Sequence, residues 1–161
     1  AASGDNYGIE VETLFQLNDA LSLTANLGLL RSKVHSYLGI DGVTRQEREQ
    51  SQAPSYQYSI GIDYRFSNEW RLNIRAEGKD EYFFSNRHGV KAPSFNMAHA
   101  RLVFERNPWN IGIWIRNMTD EETFIRGFGS FGNNPLKEYV VEPYYQRGSP
   151  RTYGAEISFQ F

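Results

Sequence analysis

The stretch SYQYSIGIDYRF, residues 55–66, alternates between apolar and polar side chains. One face carries Tyr56, Tyr58, Ile60, Ile62, Tyr64 and Phe66, and the other carries Gln57, Ser59, Gly61, Asp63 and Arg65. A period of two places successive side chains on opposite faces of a β-strand, so the segment predicts a strand with one apolar and one polar face.

The same alternation recurs along the chain. The predicted strands cover residues 6–17, 21–36, 55–66, 70–84, 94–106, 109–127 and 150–161. Three tight turns, NDA (18–20), SNE (67–69) and NP (107–108), alternate with three long polar connections at 39–55, 86–93 and about 129–149. Short turns at one end and long connections at the other predict an all-β, antiparallel up-and-down meander of about seven strands.

The composition excludes several classes of protein. Aromatic residues make up 15% of the 161 residues although the mean hydropathy is -0.58, so polar residues must be interleaved with the rings. The net charge of -2, with both signs spread along the chain, gives no basic surface for nucleic acid. The absence of cysteine excludes disulfides and thiolate metal sites. The apolar runs are far shorter than the roughly 20 residues of a membrane helix.

The distribution of apolar residues along the strands favours a membrane barrel. Mid-strand apolar positions are aliphatic or small: Ile9, Val11, Leu23, Ala25, Ile60, Ile62, Leu72, Ile74, Ala98, Ala100, Ile111, Ile113, Ala155 and Ile157. Aromatic residues sit near the short-turn end (Phe15, Phe66, Trp70, Phe104, Trp109, Phe159 and Phe161) and near the long-connection end (Tyr7, Tyr37, Tyr56, Tyr82, Phe83, Phe95 and Tyr153). The two groups are separated by roughly 20 to 25 Å of tilted strand, the height of a lipid-facing apolar band with aromatic girdles.

The charged residues fall on the opposite face, where a membrane barrel has its lumen. They are Glu10, Glu12, Asp63, Arg65, Arg71, Arg75, Glu77, Arg101, Glu105, Arg116 and Glu156. We expect these charges to pair with one another or with a domain inside the barrel. A soluble β-barrel or sandwich, with the apolar face packed inward, gives the same alternation and stays open as an alternative.

Seven strands that begin at the long-connection end and finish at the short-turn end cannot close a bacterial barrel, which has an even strand number. We therefore expect a larger barrel that continues N-terminal of Ala1, or closure by another chain.

Four stretches of the sequence resemble the barrels of TonB-dependent outer-membrane receptors. They are NYGIEVETLFQLNDALSLTANLGLLRS (6–32), APSYQYSIGIDYRF (53–66), WNIGIWIRNMTDEETF (109–124) and YYQRGSPRTYGAEISFQF (144–161). Each motif is loose by itself, and their order makes the resemblance specific.

The resemblance implies a 22-strand barrel closed by a plug domain, which imports scarce nutrients such as ferric siderophores with energy delivered by TonB. Residues 1–161 would be the C-terminal part of that barrel, in the outer membrane of a Gram-negative bacterium and in contact with its lipid. The plug and the TonB box are absent from these residues. The implied partners are the remainder of the barrel and the plug, and, through the intact receptor, TonB and the barrel-assembly machinery. A passive channel or an adhesin is the alternative.

The last strand resembles the signal that the outer-membrane assembly machinery recognises, which implies this role for Tyr153, Ile157, Phe159 and Phe161. If the chain is a receptor, a small-molecule ligand would contact the long connections. Cations and aromatic residues there suit an anionic, aromatic-bearing chelate: Arg87, His88, Arg126, Phe128, Phe131, Tyr144, Tyr145 and Arg147.

The sequence gives no sign of catalysis, a metal site or a cofactor. His88 and His99 have no second ligand at metal spacing, and the acidic run TDEE (119–122) is typical of a solvated strand end. There is no nucleophile elbow or paired-carboxylate context, so we expect a chain that is not an enzyme.

Overall fold

The computed structural model describes residues 3–38, 42–86, 89–128, 134–140 and 144–160, with only the backbone of Phe128. In chain order the strands are β1 (Gly4–Asn18), β2 (Leu21–Val34), β3 (Tyr37–Leu38), β4 (Thr44–Arg45), β5 (Tyr56–Arg65), β6 (Trp70–Lys79), β7 (Tyr82–Phe83), β8 (Lys91–Ala92), β9 (Phe95–Arg106), β10 (Trp109–Arg116), β11 (Phe124–Phe128), β12 (Tyr144–Arg147) and β13 (Thr152–Phe159). A 3-10 turn, Pro135–Lys137, precedes β12. Within the described residues, no helix has the length and apolar character needed to cross a membrane.

The seven long strands form one antiparallel sheet in the order β1-β2-β5-β6-β9-β10-β13. Every long strand pairs with the next long strand in the chain, which confirms the predicted up-and-down meander. The three tight turns lie at one end of the sheet. The short strands pair as hairpins β3–β4, β7–β8 and β11–β12 within the three long connections at the other end.

Two predicted strands are too long. The strand predicted at 70–84 ends at Lys79, and the strand predicted at 109–127 ends at Arg116. The second break follows from the turn after β10, where Asn117 and Asp120 have positive φ angles of 48° and 57° that no strand continues through. Alternation continues beyond both breaks because the next residues form the hairpin strands β7 and β11.

The apolar face of the sheet is exposed. Ile60, Ile74 and Ile113, at the centre of this face, expose 50%, 39% and 53% of their surface. They therefore do not meet in a closed interior, as a soluble sandwich would require. In the described part of the chain, the buried apolar side chains are Tyr82, Phe84, Ala92 and Val103, of which the first three lie in one long connection.

Aromatic rings follow one another across the short-turn end of the apolar face. Ring centroids are 5.9 Å apart for Tyr64 and Phe66, 6.3 Å for Phe66 and Trp70, and 4.9 Å for Trp70 and Phe104. Across the last strand pair Trp109 meets Phe159 at 4.9 Å. This belt matches the predicted girdle.

The other predicted girdle is partly wrong. Tyr37, Tyr82 and Phe83 lie in the hairpins of the long connections and not on the long strands. Phe95 contacts Lys79 from the polar face, with the ammonium 5.4 Å from the ring centroid. The positions of Tyr37, Tyr82 and Phe83 beyond the strand breaks account for their misplacement, because alternation alone does not show where a strand leaves the sheet. Phe95 is misplaced because it begins β9 on the polar face.

The charges of the polar face pair with one another. Arg71 donates from Nε to both oxygens of Asp63, at 2.8 and 2.9 Å, and Asn73 donates to the same carboxylate at 2.6 Å. Further along this face, Arg101 forms an ion pair with Glu156 on the last strand. The expected pairing of the polar-face charges is thus confirmed for these residues, and it ties β5 to β6 and β9 to β13.

Gly78 gives a prediction about the packing of the apolar face. A Cβ on Gly78 would lie 2.7 Å from the carbonyl oxygen of Phe95 and 2.8 Å from the ring of Tyr58, whose hydroxyl donates to Asn96 at 2.7 Å. Gly78→Ala is expected to lower the free energy of unfolding by about 1 kcal/mol or more, because the backbone atom cannot move away. Denaturant unfolding of the complete protein in detergent measures it.

Gly28 supplies the matched control. The atom nearest to its hypothetical Cβ is Cγ of the flexible Gln57 side chain, at 3.3 Å. Gly28→Ala should therefore leave the unfolding free energy nearly unchanged, and an equal loss in both variants would contradict the account.

Candidate functional site

At one end of the sheet the first long connection packs against the second, and the second packs against the third. The first connection is residues 35–55, the second is 80–94 and the third is 117–151, and each contains one of the small hairpins. The predicted ligand residues that the structure describes and the buried apolar side chains of the hairpins lie here, which makes this end the candidate site.

An aromatic cluster joins the second connection to the third. Phe84, only 3% exposed, has its ring centroid 5.2 Å from that of Tyr145 and 6.2 Å from that of Phe124. Its ring covers Gly127, where a Cβ would lie 2.3 Å from Cγ of Phe84. The Tyr82 hydroxyl donates to the carbonyl of Phe124 at 3.3 Å. Hairpin β11–β12 therefore packs against hairpin β7–β8 and the adjoining Phe84.

The opposite side of hairpin β7–β8 holds the first connection. The guanidinium of Arg48 lies 4.1 Å from the ring centroid of Phe83 and donates to the carbonyl of Ser85 at 2.7 Å. The amide of Gln52 donates to the carbonyl of Phe83 at 2.8 Å. A cation over an aromatic face and two hydrogen bonds fix this contact.

Lys91 adds charge to the same contact. Its ammonium lies 2.8 Å from Glu81, 3.4 Å from Glu49 of the first connection and 4.6 Å from the ring centroid of Phe83. The hydrogen bond to Glu81 is the main reason that the pKa of Lys91 is raised.

Glu47 fastens the first connection to the end of β2. It forms an ion pair with Lys33, and its second oxygen lies 3.4 Å from Nδ1 of His35, whose Nε2 contacts Asp5 of β1 at 2.9 Å. The hydrogen bond and charge of Lys33, then those of His35, hold the pKa of Glu47 below its ordinary value.

A pH-dependent loosening of the segment beside Glu47 follows from this pair. A carboxylate with a lowered pKa stabilises the folded contact above its ordinary pKa of about 4.5, and that stabilisation is lost as the pH falls through the lower folded value. A spin label on Gln46→Cys in the complete protein should be more mobile at about pH 3 than at about pH 7, while the contacts of Arg48 and Gln52 keep the rest of the first connection in place. With Glu47→Gln added, this difference between the two pH values should be much smaller. A pH transition that survives this substitution would show that another group controls the segment.

The base of the third connection is closed by Asn117, which is 3% exposed. Its side-chain amide donates to the carbonyls of Glu121, at 2.8 Å, and Ser149, at 3.2 Å, and its Oδ1 accepts from the amide of Glu121 at 2.9 Å. Its own backbone amide donates to Nδ1 of His99 at 3.2 Å. The two ends of a connection of more than thirty residues therefore meet on one side chain.

Two further contacts close the same base. The amide of Arg151 donates to Asp120 at 3.0 Å, and the amide of Gly148 donates to the carbonyl of Thr123 at 2.7 Å. These residues come from the motifs NMTDEETF and GSPRTY, on which the family resemblance partly rests. Both motifs are recognisable in the sequence, but their contact with each other is visible only in the fold.

The structure brings together part of the predicted ligand set. Arg126, Tyr144, Tyr145 and Arg147 lie on hairpin β11–β12, and the backbone of Phe128 pairs with Tyr144. Arg147 contacts Glu122 at 2.7 Å. Arg87, His88 and Phe131 lie outside the described residues, and ligand contact by the whole set stays a prediction. The predicted ligand set did not include Phe83, Phe84 or Arg48. The aromatic run YFF (82–84) was the sequence signal for the two phenylalanines.

Three of the four predicted insertion residues, Tyr153, Ile157 and Phe159, lie on the apolar face of the last strand. Tyr153 is 80% exposed, Ile157 is also largely exposed, and Phe159 lies against Trp109. Phe161 lies outside the described residues. Recognition by the assembly machinery stays a prediction.

Among the residues that the structure describes, no three His, Cys, Asp or Glu side chains are grouped to hold a metal ion. His99, one of the two histidines considered above, instead accepts from Asn117 and lies 3.4 Å from Glu77.

Comparison with solved structures shows which known proteins share this architecture. No protein-family model matches the chain. The match with the siderophore receptor PiuA from Acinetobacter baumannii covers 97% of this chain and 21% of the PiuA chain, with a TM-score of 0.74 and 12% sequence identity. The match with the ferric yersiniabactin uptake receptor FyuA from Yersinia pestis covers 100% of this chain and 24% of the FyuA chain, with a TM-score of 0.79 and 14% identity. The match with the ferric citrate transporter FecA covers 98% of this chain and 25% of the FecA chain, with a TM-score of 0.69 and 18% identity.

These matches show the fold. The chain has the fold of a segment of a large receptor β-barrel, and it spans about a quarter or less of the length of the proteins it matches. The resemblance to outer-membrane receptors drawn from the sequence is confirmed at this level.

Proposed function

We propose that residues 1–161 form the C-terminal seven strands of an outer-membrane receptor barrel in a Gram-negative bacterium. The intact protein would import a scarce nutrient, a ferric siderophore-type chelate, with energy supplied through TonB and with a plug domain inside the barrel. The observation that carries the proposal is the two-sided sheet, which is apolar and exposed on one face and ion-paired on the other.

The exposed apolar face of the sheet is suited to contact with lipid. Apolar surface removed from water contributes about 25 cal/mol per Å², so a face of isoleucines, leucines and aromatic rings is unstable when left in water. In a bilayer this face contacts hydrocarbon, and the belt from Tyr64 to Phe104 lies at the interface. The ion pairs of the other face suit a polar, enclosed lumen.

The candidate site supports a receptor with a small anionic ligand. Hairpin β11–β12 presents Arg126, Tyr144 and Arg147 at the end of the barrel where the connections are long. Guanidinium groups bind carboxylates in paired hydrogen bonds, and rings stack on aromatic chelating groups. The similar structures are receptors and transporters for iron chelates, and we propose no catalytic activity.

Gene-dependent transport tests the proposal. Cells that lack the complete gene, cells that lack TonB and the parent strain would be supplied with ⁵⁵Fe as citrate, as yersiniabactin and as other siderophore chelates. We expect one chelate to enter only when both the gene and TonB are present.

Other outcomes identify the alternatives. Gene-dependent entry without TonB would indicate a passive channel, and recovery of the protein from the soluble fraction would indicate a soluble β-module. Either result would overturn the proposal.

A further inference from the structure

We propose that hairpin β7–β8 is the positioning element of the long-connection end, with Phe83 holding the first connection and Phe84 holding the third. This inference deepens the proposed function and rests on it only in assigning these connections to ligand capture. The positioning of the first and third connections by Phe83 and Phe84 rests on the contacts alone.

Phe84 is a knob in a socket made by the third connection. Its ring is buried against Phe124, Tyr145 and the bare backbone of Gly127. The contacts of Asn117 with Ser149 and of Gly148 with Thr123 hold the two ends of hairpin β11–β12. How the hairpin lies against hairpin β7–β8 depends in addition on how well the Phe84 ring fills the socket, because a void or an overlap is costly in a close-packed contact.

Phe83 makes a separate contact with the first connection. Its ring faces Arg48 at 4.1 Å and Lys91 at 4.6 Å, and its carbonyl accepts from Gln52. Successive side chains of an extended segment point to opposite sides, so two neighbouring residues can hold two different connections.

The consequence for the predicted ligand residues is direct. Tyr145 touches Phe84, and Arg147 pairs in register with Phe124, which also touches Phe84. Phe84 is almost fully buried and is placed to act through these residues and not through the ligand. Phe84 is thus a positioning residue for the third connection.

Hydrogen exchange in the complete protein tests the division between the two residues. With Phe84→Ala, amides of 124–128 and 144–147 should exchange about tenfold faster or more, because local opening becomes easier, while 44–52 stays unchanged. Phe83→Ala should give the reverse pattern. Amides at the centre of β9 serve as the internal reference for both variants. No ligand is present, so failure here is distinct from failure of the transport proposal.

An exchange of knob and socket tests the contact itself. Gly127→Val alone should loosen hairpin β11–β12, since its Cβ would overlap the Phe84 ring. Combined with Phe84→Ala, the added side chain fills the vacated space, and the double variant should regain most of the protection that either single change removes.

Equal loosening of both connections by each phenylalanine variant would overturn the proposal. Additive losses in the double variant would overturn it as well, because they would show that Gly127 and Phe84 act independently.

Discussion

Replacing Ile60 with arginine is expected to destabilise the folded barrel by about 2 to 4 kcal/mol and to reduce strongly the amount assembled in the outer membrane. Ile60 lies midway along β5, between Tyr56 and Tyr64, and half of its surface is exposed. In lipid the guanidinium would lie near the bilayer midplane, where a charge loses its hydration without gaining a partner. Denaturant unfolding of the complete protein in lipid vesicles measures the loss, and heat-modifiable migration of outer-membrane samples measures assembly.

Asn26→Arg is the matched control on the neighbouring strand. Asn26 is the pairing partner of Ser59, the residue before Ile60, so the two substitutions lie at the same level on opposite faces. The new arginine would face Glu12, the partner of Asn26 on β1. We expect little loss of stability or assembly. If Ile60→Arg proved as harmless as this control, the apolar face would not contact lipid.

Asn117→Ala is expected to lower the free energy of unfolding by roughly 3 kcal/mol, about 1 kcal/mol for each of three backbone groups that lose a partner. Those groups are the amide and carbonyl of Glu121 and the carbonyl of Ser149. The largest change should fall in the third connection, because Asn117 is where its two ends meet. Denaturant unfolding gives the total, and hydrogen exchange of residues 120–124 and 148–152 locates it.

Two variants separate the hydrogen bonds from the backbone strain at Asn117. Asn117→Gly suits the φ angle of 48° but removes the side chain, so it should cost nearly as much as alanine. Asn110→Ala, on the polar face of the preceding strand β10, should cost little. A glycine variant as stable as the natural protein would show that the backbone angle, and not the hydrogen bonding, selects asparagine.

The packing of this chain is inverted relative to a soluble domain. The long strands expose their apolar face and pair their charges on the other, while closely packed rings occur in the connections. Loops of soluble proteins are commonly mobile and poorly packed. Here the second connection has an apolar cluster of its own, so the candidate site is held by packing as well as by the barrel beneath it.

The sequence by itself determined the strands, their order and their faces. Alternation at period two is a local property, and the tight turns at 18–20, 67–69 and 107–108 predict that the strands they join are paired, so three of the six strand pairings follow from short-range information. The belt from Tyr64 to Phe104 could be located in the same way. Five of the eight predicted ligand residues fall on hairpin β11–β12, a hairpin that the sequence pattern did not predict.

Only the tertiary structure decided where β6 and β10 leave the sheet and how the connections pack. The hydrogen bond from Tyr82 to Phe124 spans 42 residues, and that from Asn117 to Ser149 spans 32. No periodicity relates residues so far apart. A ring such as Phe84 reads as one more strand aromatic until the fold places Gly127, Phe124 and Tyr145 around it. Contacts of this kind depend on the shape of the whole end of the sheet, which a pattern within one strand does not contain.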